Sequence, residues 1–163
     1  MIVVLMGVSG AGKTTIGALL AGRLGVPFIE GDDYHPPANV AKMARGVPLE
    51  DEDRWPWLDR LNELLKSQPD AVLACSALKD AYRTRLLAGV SDACLVHLHG
   101  DEALIAGRLK ERRHRYMPAS LLQSQLAILE PPRRAIVVDV AGDPASCVEA
   151  IVRALTAQLP RCT

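Results

Sequence analysis

Eight consecutive residues, Gly7-Val8-Ser9-Gly10-Ala11-Gly12-Lys13-Thr14, constrain this chain more than any other stretch. They satisfy G-x-x-x-x-G-K-[ST], with Gly7, Gly12, Lys13 and Thr14 at the fixed positions. Glycines at that spacing let the backbone curl until several N–H groups face one oxyanion. Lys13 sets a positive charge beside the β- and γ-phosphates, and the Thr14 hydroxyl is available to Mg²⁺. A chance glycine-rich turn would carry no such context. Here an apolar, β-branched run, Ile2–Met6, precedes the loop, and a helical pattern over Thr14–Leu24 follows it, its N-terminus facing the phosphates. The loop from Gly7 to Thr15 is thus expected to bind a nucleoside triphosphate.

The strand–loop–helix opening is continued by an alternation. Apolar strand candidates fall at Ile2–Met6, Pro27–Glu30, Ala71–Cys75, Ala93–His99 and Ala135–Val140. Helical patterns lie at Thr14–Leu24, Pro36–Arg45, Asp53–Lys66, Lys79–Leu87, Glu102–Arg113, Ala119–Leu129 and Ala145–Leu159. Near-continuous apolar strands separated by helices predict an α/β fold, with a five-stranded parallel sheet covered on both faces. At 163 residues the chain reads as one domain, residues 1–163. Its 19 basic and 19 acidic residues cancel, which argues against nucleic acid or an anionic membrane as a partner. The N-terminal apolar run is too short for a signal peptide or a membrane span. None of the four cysteines, Cys75, Cys94, Cys147 and Cys162, forms a C-x-x-C pair, and Cys75 and Cys94 fall in apolar strand-like runs. Buried free thiols and a cytoplasmic setting are expected.

In a parallel sheet, ligands gather at the carboxyl ends of the strands. After the second strand comes Glu30-Gly31-Asp32-Asp33-Tyr34-His35-Pro36-Pro37. In an arbitrary chain this would be a solvated acidic turn capping the next helix. Behind a phosphate loop, its carboxylates can hold Mg²⁺ through water and take a proton from a hydroxyl nucleophile. Asp32 is the candidate base, Glu30 or Asp32 the water-mediated metal contact, and Asp33 a turn residue. Trp55 and Trp57 read as core, and Pro56 as a first-turn proline. Arg54 lies at the polar start of its helix, where an exposed ion pair is the plain reading. After the third strand, Lys79 and Arg83 share a helical face predicted to point toward Asp32, where they could grip an anionic substrate group.

Arg108, Lys110, Arg112, Arg113, His114 and Arg115 form the densest basic run. Without interleaved aromatics it does not read as a nucleic-acid site. A solvated helix face and a mobile lid over about residues 108–120 compete, and Pro118, restarting a helix, favours the lid. Arg108 and Arg112 would then face the nucleotide, with Arg112 first in line for the γ-phosphate. Asp139-Val140-Ala141-Gly142 imitates a GTPase D-x-x-G but comes too late in the chain and has no N-K-x-D after it. It reads as a wall near the purine base.

Beyond the phosphate loop, the chain carries Gly31-Asp32 with His35-Pro36, Asn39, Lys42-Met43, Gly46, Pro48-Leu49, Asp51, Asp53-Arg54 and Pro56-Trp57-Leu58. Cys75-Ser76-Ala77-Leu78-Lys79, Tyr82-Arg83, Leu121-Leu122, Ser124-Gln125 and Leu129-Glu130-Pro131 follow. Over nearly its whole length the chain resembles the gluconate kinases of the small P-loop kinase type. That resemblance implies ATP- and Mg²⁺-dependent phosphorylation of D-gluconate at its C6 hydroxyl and a nucleoside-monophosphate-kinase-like sheet, commonly in a homodimer. One departure concerns the lid: family members usually carry Arg-x-x-His before an aromatic, whereas here Arg115 takes the histidine's place before Tyr116.

Joined to that resemblance, the residue reading gives an expected site. Asp32, Lys13 and Arg112 would be catalytic, and Gly7, Val8, Ser9, Gly10, Ala11, Gly12, Lys13, Thr14, Thr15, Arg108 and Arg112 would hold ATP. His35, Arg54, Lys79 and Arg83, with Asp32, would hold the sugar acid. Two other readings stay open: a kinase of the same fold acting on another small acid or alcohol such as shikimate, and a non-catalytic nucleotide sensor.

Overall fold

Every side chain of β1, Ile2–Met6, is buried. The strand alternates between two cores: Val3 and Leu5 enter one, Ile2, Val4 and Met6 the other. Only a central strand with helices on both faces can do this. In the computed structural model, which describes residues 1–111 and 121–158, the remaining strands are β2 (Phe28–Glu30), β3 (Ala71–Ala74), β4 (Ala93–His99) and β5 (Ile136–Asp139). All pair in parallel, in the order β2-β3-β1-β4-β5. The helices are α1 (Lys13–Leu24), α2 (Pro37–Ala44), α3 (Asp51–Lys66), α4 (Asp80–Leu86), α5 (Glu102–Glu111), α6 (Leu121–Ile128) and α7 (Pro144–Gln158).

On one face of the sheet, Ile16 and Leu20 of α1 pack with Ile151 and Leu155 of α7. On the other, Trp57, Leu58, Leu61 and Leu65 of α3 pack with Tyr82 and Leu86 of α4. A third, smaller cluster joins Val8 of the phosphate loop to Leu78, to Ile105 and Leu109 of α5, and to Leu122 of α6. Because every pairing is parallel, the carboxyl ends of the strands share one edge, and the order changes direction beside β1, where a crevice for ligands opens.

Two expectations change here. The helix expected from Asp53 starts at Asp51, because Glu50 caps it reciprocally with Asp53: Glu50 N donates to Asp53 Oδ2 at 2.9 Å. Pro56 is therefore its sixth residue, inside the helix rather than in its first turn. Cys75 and Cys147 are buried free thiols, but Cys94 is only half-buried; Cys162 lies outside the described residues. Among the described residues no helix is long and apolar enough to cross a membrane.

Candidate active site

The phosphate loop leaves β1 at Gly7, whose φ is +146°. A Cβ there would stand 2.7 Å from the Leu98 carbonyl oxygen, so only glycine lets the loop turn this close to β4. Gly7 N donates to Ser76 O at 3.3 Å, tying the loop to the end of β3. Lys13 Nζ folds back to donate to Gly7 O and Val8 O, each at 3.0 Å. Burial pushes the Lys13 ammonium below its usual range, against the upward pull of Asp32 and Glu30. Both carboxylates are thus close enough to act on Lys13, the placement expected from the strand-end rule.

Thr14 Oγ1 donates to Glu30 Oε2 at 2.6 Å. Burial raises the Glu30 carboxyl, partly countered by that hydroxyl. Among the described residues no cluster of three His, Cys, Asp or Glu side chains could hold a metal by itself. A hydroxyl next to one carboxylate instead fits a Mg²⁺ that keeps most of its ligands as water and phosphate oxygens.

Asp32 sits with Asp33 in the 3₁₀ turn Gly31–Tyr34 that closes β2, Asp32 partly buried and Asp33 exposed. The carbonyl of Gly31 accepts from Trp57 Nε1 at 2.8 Å, which pins the start of that turn to α3. His35 follows, buried, its ring stacked on Trp57. Desolvation pushes the imidazole down to about 4. Asp32 opposes that shift and Arg54 adds to it, so the ring is neutral near pH 7.

Arg54 departs most from its plain reading. Only 8% of the residue is exposed. Nη2 donates to Leu49 O at 3.2 Å and the guanidinium lies 5.1 Å from the Tyr82 ring centre, but Nε has no partner among the described residues. An orphaned guanidinium N–H is costly to bury unless a ligand completes it. Arg54, His35 and Ser76 line a cleft covered by Leu121, Ser124 and Gln125 of α6. Gln125 Oε1 also accepts from Ser9 N at 2.6 Å, so the cleft abuts the phosphate loop.

The expected pair Lys79 and Arg83 divides. Lys79 Nζ pairs with Asp51 Oδ1 at 2.9 Å, beside the Tyr82 hydroxyl that donates to the same oxygen, and so stays near Arg54. Arg83 does not join the cleft. It is buried, donating at 3.0 Å to both Ala77 O and Leu78 O and at 3.3 Å to Asp80 Oδ1. Ala77 has φ +42°, and the guanidinium holds the flanking carbonyls of that left-handed residue. Arg83 also lines a separate, open cavity with Glu130 and Arg134.

On the far side of the phosphate loop, Gly12, Thr15, Arg108, Val140, Gly142 and Pro144 line a cavity of about 270 Å³. Arg108 Nη2 donates to Val140 O at 2.6 Å, and Asp139 Oδ1 accepts from Ala141 N at 2.8 Å, closing the turn. This places Arg108 and the 139–142 wall beside the loop. Arg112, Arg113, His114, Arg115, Tyr116 and Pro118 lie outside the described residues. Sequence reasoning assigned no role to Ser76, Ser124, Gln125 or Asn39; the available signal for Asn39 was its helical spacing from His35.

A phosphate loop at the central strand of a five-stranded parallel sheet, with a carboxylate and an arginine-lined cleft across from it, defines a P-loop kinase. The shikimate kinase family profile matches residues 9–141. A gluconokinase of Gluconobacter oxydans is 53% identical, over 79% of this chain and 75% of its own length. A probable gluconokinase of Xenopus tropicalis is 46% identical, over 88% of this chain and 87% of its own. The crystal structure of a gluconokinase from Sinorhizobium meliloti superposes with a TM-score of 0.87 at 46% identity, covering 95% of this chain and 91% of that one. The chain belongs to the gluconokinase family.

Proposed function

We propose that this protein transfers the γ-phosphoryl group of ATP to the C6 hydroxyl of D-gluconate, giving 6-phospho-D-gluconate and ADP. The observation that carries the acceptor site is the buried Arg54, its Nε unpartnered, in a cleft with neutral His35 and Ser76 against the phosphate loop. A guanidinium offers two parallel donors to a carboxylate, and a neutral imidazole and a hydroxyl suit a polyol. A shikimate-type acceptor is disfavoured by the likeness to a gluconokinase at 53% identity and a probable gluconokinase at 46%.

ATP lies along Gly7–Thr15, with its base toward the cavity of Arg108 and Val140. Lys13 leaves the carbonyls of Gly7 and Val8 for the β- and γ-phosphates. Asp32 accepts the C6 hydroxyl proton as that oxygen bonds to the γ-phosphorus and the bond to the ADP oxygen breaks. Arg54 and His35 hold the acid, and Lys79 supports the rim through Asp51. Arg83 acts one step back, holding the loop that carries Ser76. Thr14, with Glu30 or Asp32 through water, would hold Mg²⁺, which supplies charge neutralisation at the phosphates. Arg112 is assigned to the γ-phosphate. We further propose a single domain over residues 1–163 with a lid at about 108–120, a homodimer, and a cytoplasmic setting that keeps the thiols reduced.

A coupled ADP-release assay with Mg-ATP against gluconate, other aldonates, shikimate and nucleoside monophosphates tests the reading. Turnover on gluconate is expected. ATP binding with no turnover on any acceptor would instead mark a nucleotide sensor.

A further inference from the structure

Beside Asp32 lies a set of contacts that the transfer scheme leaves unused. Asn39, on α2 and 3% exposed, places Nδ2 2.8 Å from the Asp53 carbonyl oxygen and 3.2 Å from His35 Nδ1. An amide nitrogen carries two hydrogens and only donates. The Asp53 carbonyl only accepts, which fixes the amide's orientation: the opposite one would press Asn39 Oδ1 against that oxygen. Nδ1 of His35 therefore receives a hydrogen bond and is bare, and the ring's single hydrogen resides on Nε2. Nε2 lies 3.7 Å from Asp32 Oδ1. Stacking on Trp57, with centroids 4.0 Å apart and planes 16° from parallel, fixes the plane of the ring. Of the two orientations in that plane, the one with Nδ1 toward Asn39 gives the amide an acceptor, whereas the other would set a C–H against it.

We propose that Asn39 is a positioning residue that sets the tautomer of His35, so that the imidazole presents an N–H and not a lone pair to Asp32. The 3.7 Å separation exceeds a hydrogen bond, so the effect at rest is electrostatic. An N–H dipole aimed at the carboxylate attracts and orients its oxygen; a lone pair there would repel it and turn it aside. The charged groups acting on the ring are Asp32 and Arg54; Asp53 reaches it only through the Asn39 amide. The catalytic consequence rests on Asp32 being the base proposed above. The tautomer assignment does not.

Two-bond ¹H–¹⁵N correlation spectra of histidine-labelled protein at pH 7 test this, with the His35 signals assigned by their loss in His35→Gln. Wild type is expected to show a bare Nδ1 and a protonated Nε2. In Asn39→Asp a carboxylate faces Nδ1 and draws the hydrogen to it; kcat on gluconate should fall at least tenfold while KM for ATP stays within twofold. In Asn39→Leu the ring loses its selector and both tautomers should appear, with a smaller loss of kcat. A protonated Nδ1 in wild type overturns the proposal without need of any variant. Asn39→Leu retaining a pure Nε2–H ring, or Asn39→Asp with a displaced hydrogen but wild-type kcat, also overturns it. The expected wild-type tautomer in a protein that fails to turn over gluconate removes the substrate reading and leaves the tautomer assignment standing.

Discussion

Trp57 holds the segment that carries Asp32 by two contacts at once: its ring stacks on His35, and its Nε1 donates to the Gly31 carbonyl. The first contact keeps His35 dry and the second fixes the turn at the end of β2. Trp57→Phe retains a stacking surface and loses the donor, leaving a buried acceptor unsatisfied. A stability loss of about 1–3 kcal/mol is expected, read from urea midpoints, together with a drop in kcat. Unchanged stability would mean the Gly31 carbonyl finds another donor.

Stability should also depend on pH through His35. Its folded value of about 4 lies below the ordinary 6.5. Between those values the unfolded chain binds a proton that the native protein does not, so stability falls as pH drops through the window. The contribution is on the order of 3 kcal/mol at most. The carboxyls of Asp51 and Asp53, held low mainly by Tyr82 and by Lys42 respectively, add a further loss only at still lower pH. Urea denaturation at pH 7 and pH 4.5 should show the slope, and His35→Gln should reduce it, leaving the part due to His97, which burial also lowers. An equal slope in both proteins would assign the effect to other groups.

Asp32→Asn keeps the shape of the turn and removes the proposed proton acceptor. The expected result is a kcat reduced by roughly 10²- to 10⁴-fold, with KM for ATP little changed. Wild-type kcat in this variant would show that another group takes the C6 proton.

Arg54 and Arg83 should separate in kinetics. Arg54→Met removes the guanidinium with an unpartnered Nε in the cleft, so KM for gluconate should rise roughly 10- to 100-fold. Arg83→Met breaks donation to the Ala77 and Leu78 carbonyls, and its main effect should be a lower Tm, by about 5–10 °C. The reverse pattern, with Arg83 governing KM, would return the carboxylate to the face where the sequence places it.

How legible these roles were depended on distance along the chain. The phosphate loop is local, and strand, glycines, lysine and helix lie in one short stretch. Asp32 and Glu30 followed from the rule that ligands gather at strand ends, and both lie near enough to Lys13 to raise its ammonium against burial. Helical spacing put Lys79 and Arg83 on one face but could not say where the face points. Lys79 proved to stand just ahead of α4, and Arg83 turned inward to stabilise a left-handed alanine. The polar start of α3 allowed Arg54 an exposed ion pair beside its expected role at the sugar acid; its burial, beside Ser76 and Gln125, could not be read from local sequence. The capping box that moved Pro56 inside its helix uses Glu50, just ahead of where the pattern began.

The phosphate loop partners its own polar groups. Lys13 spends its donors on two loop carbonyls, and the Ser9 N–H spends its single hydrogen on Gln125. Binding a phosphate is therefore an exchange of partners, and measured ATP affinity is a difference between two satisfied states. One side of that exchange, Gln125, belongs to α6, the helix that also lines the cleft of Arg54, His35 and Ser76, so the loop and the cleft share one element.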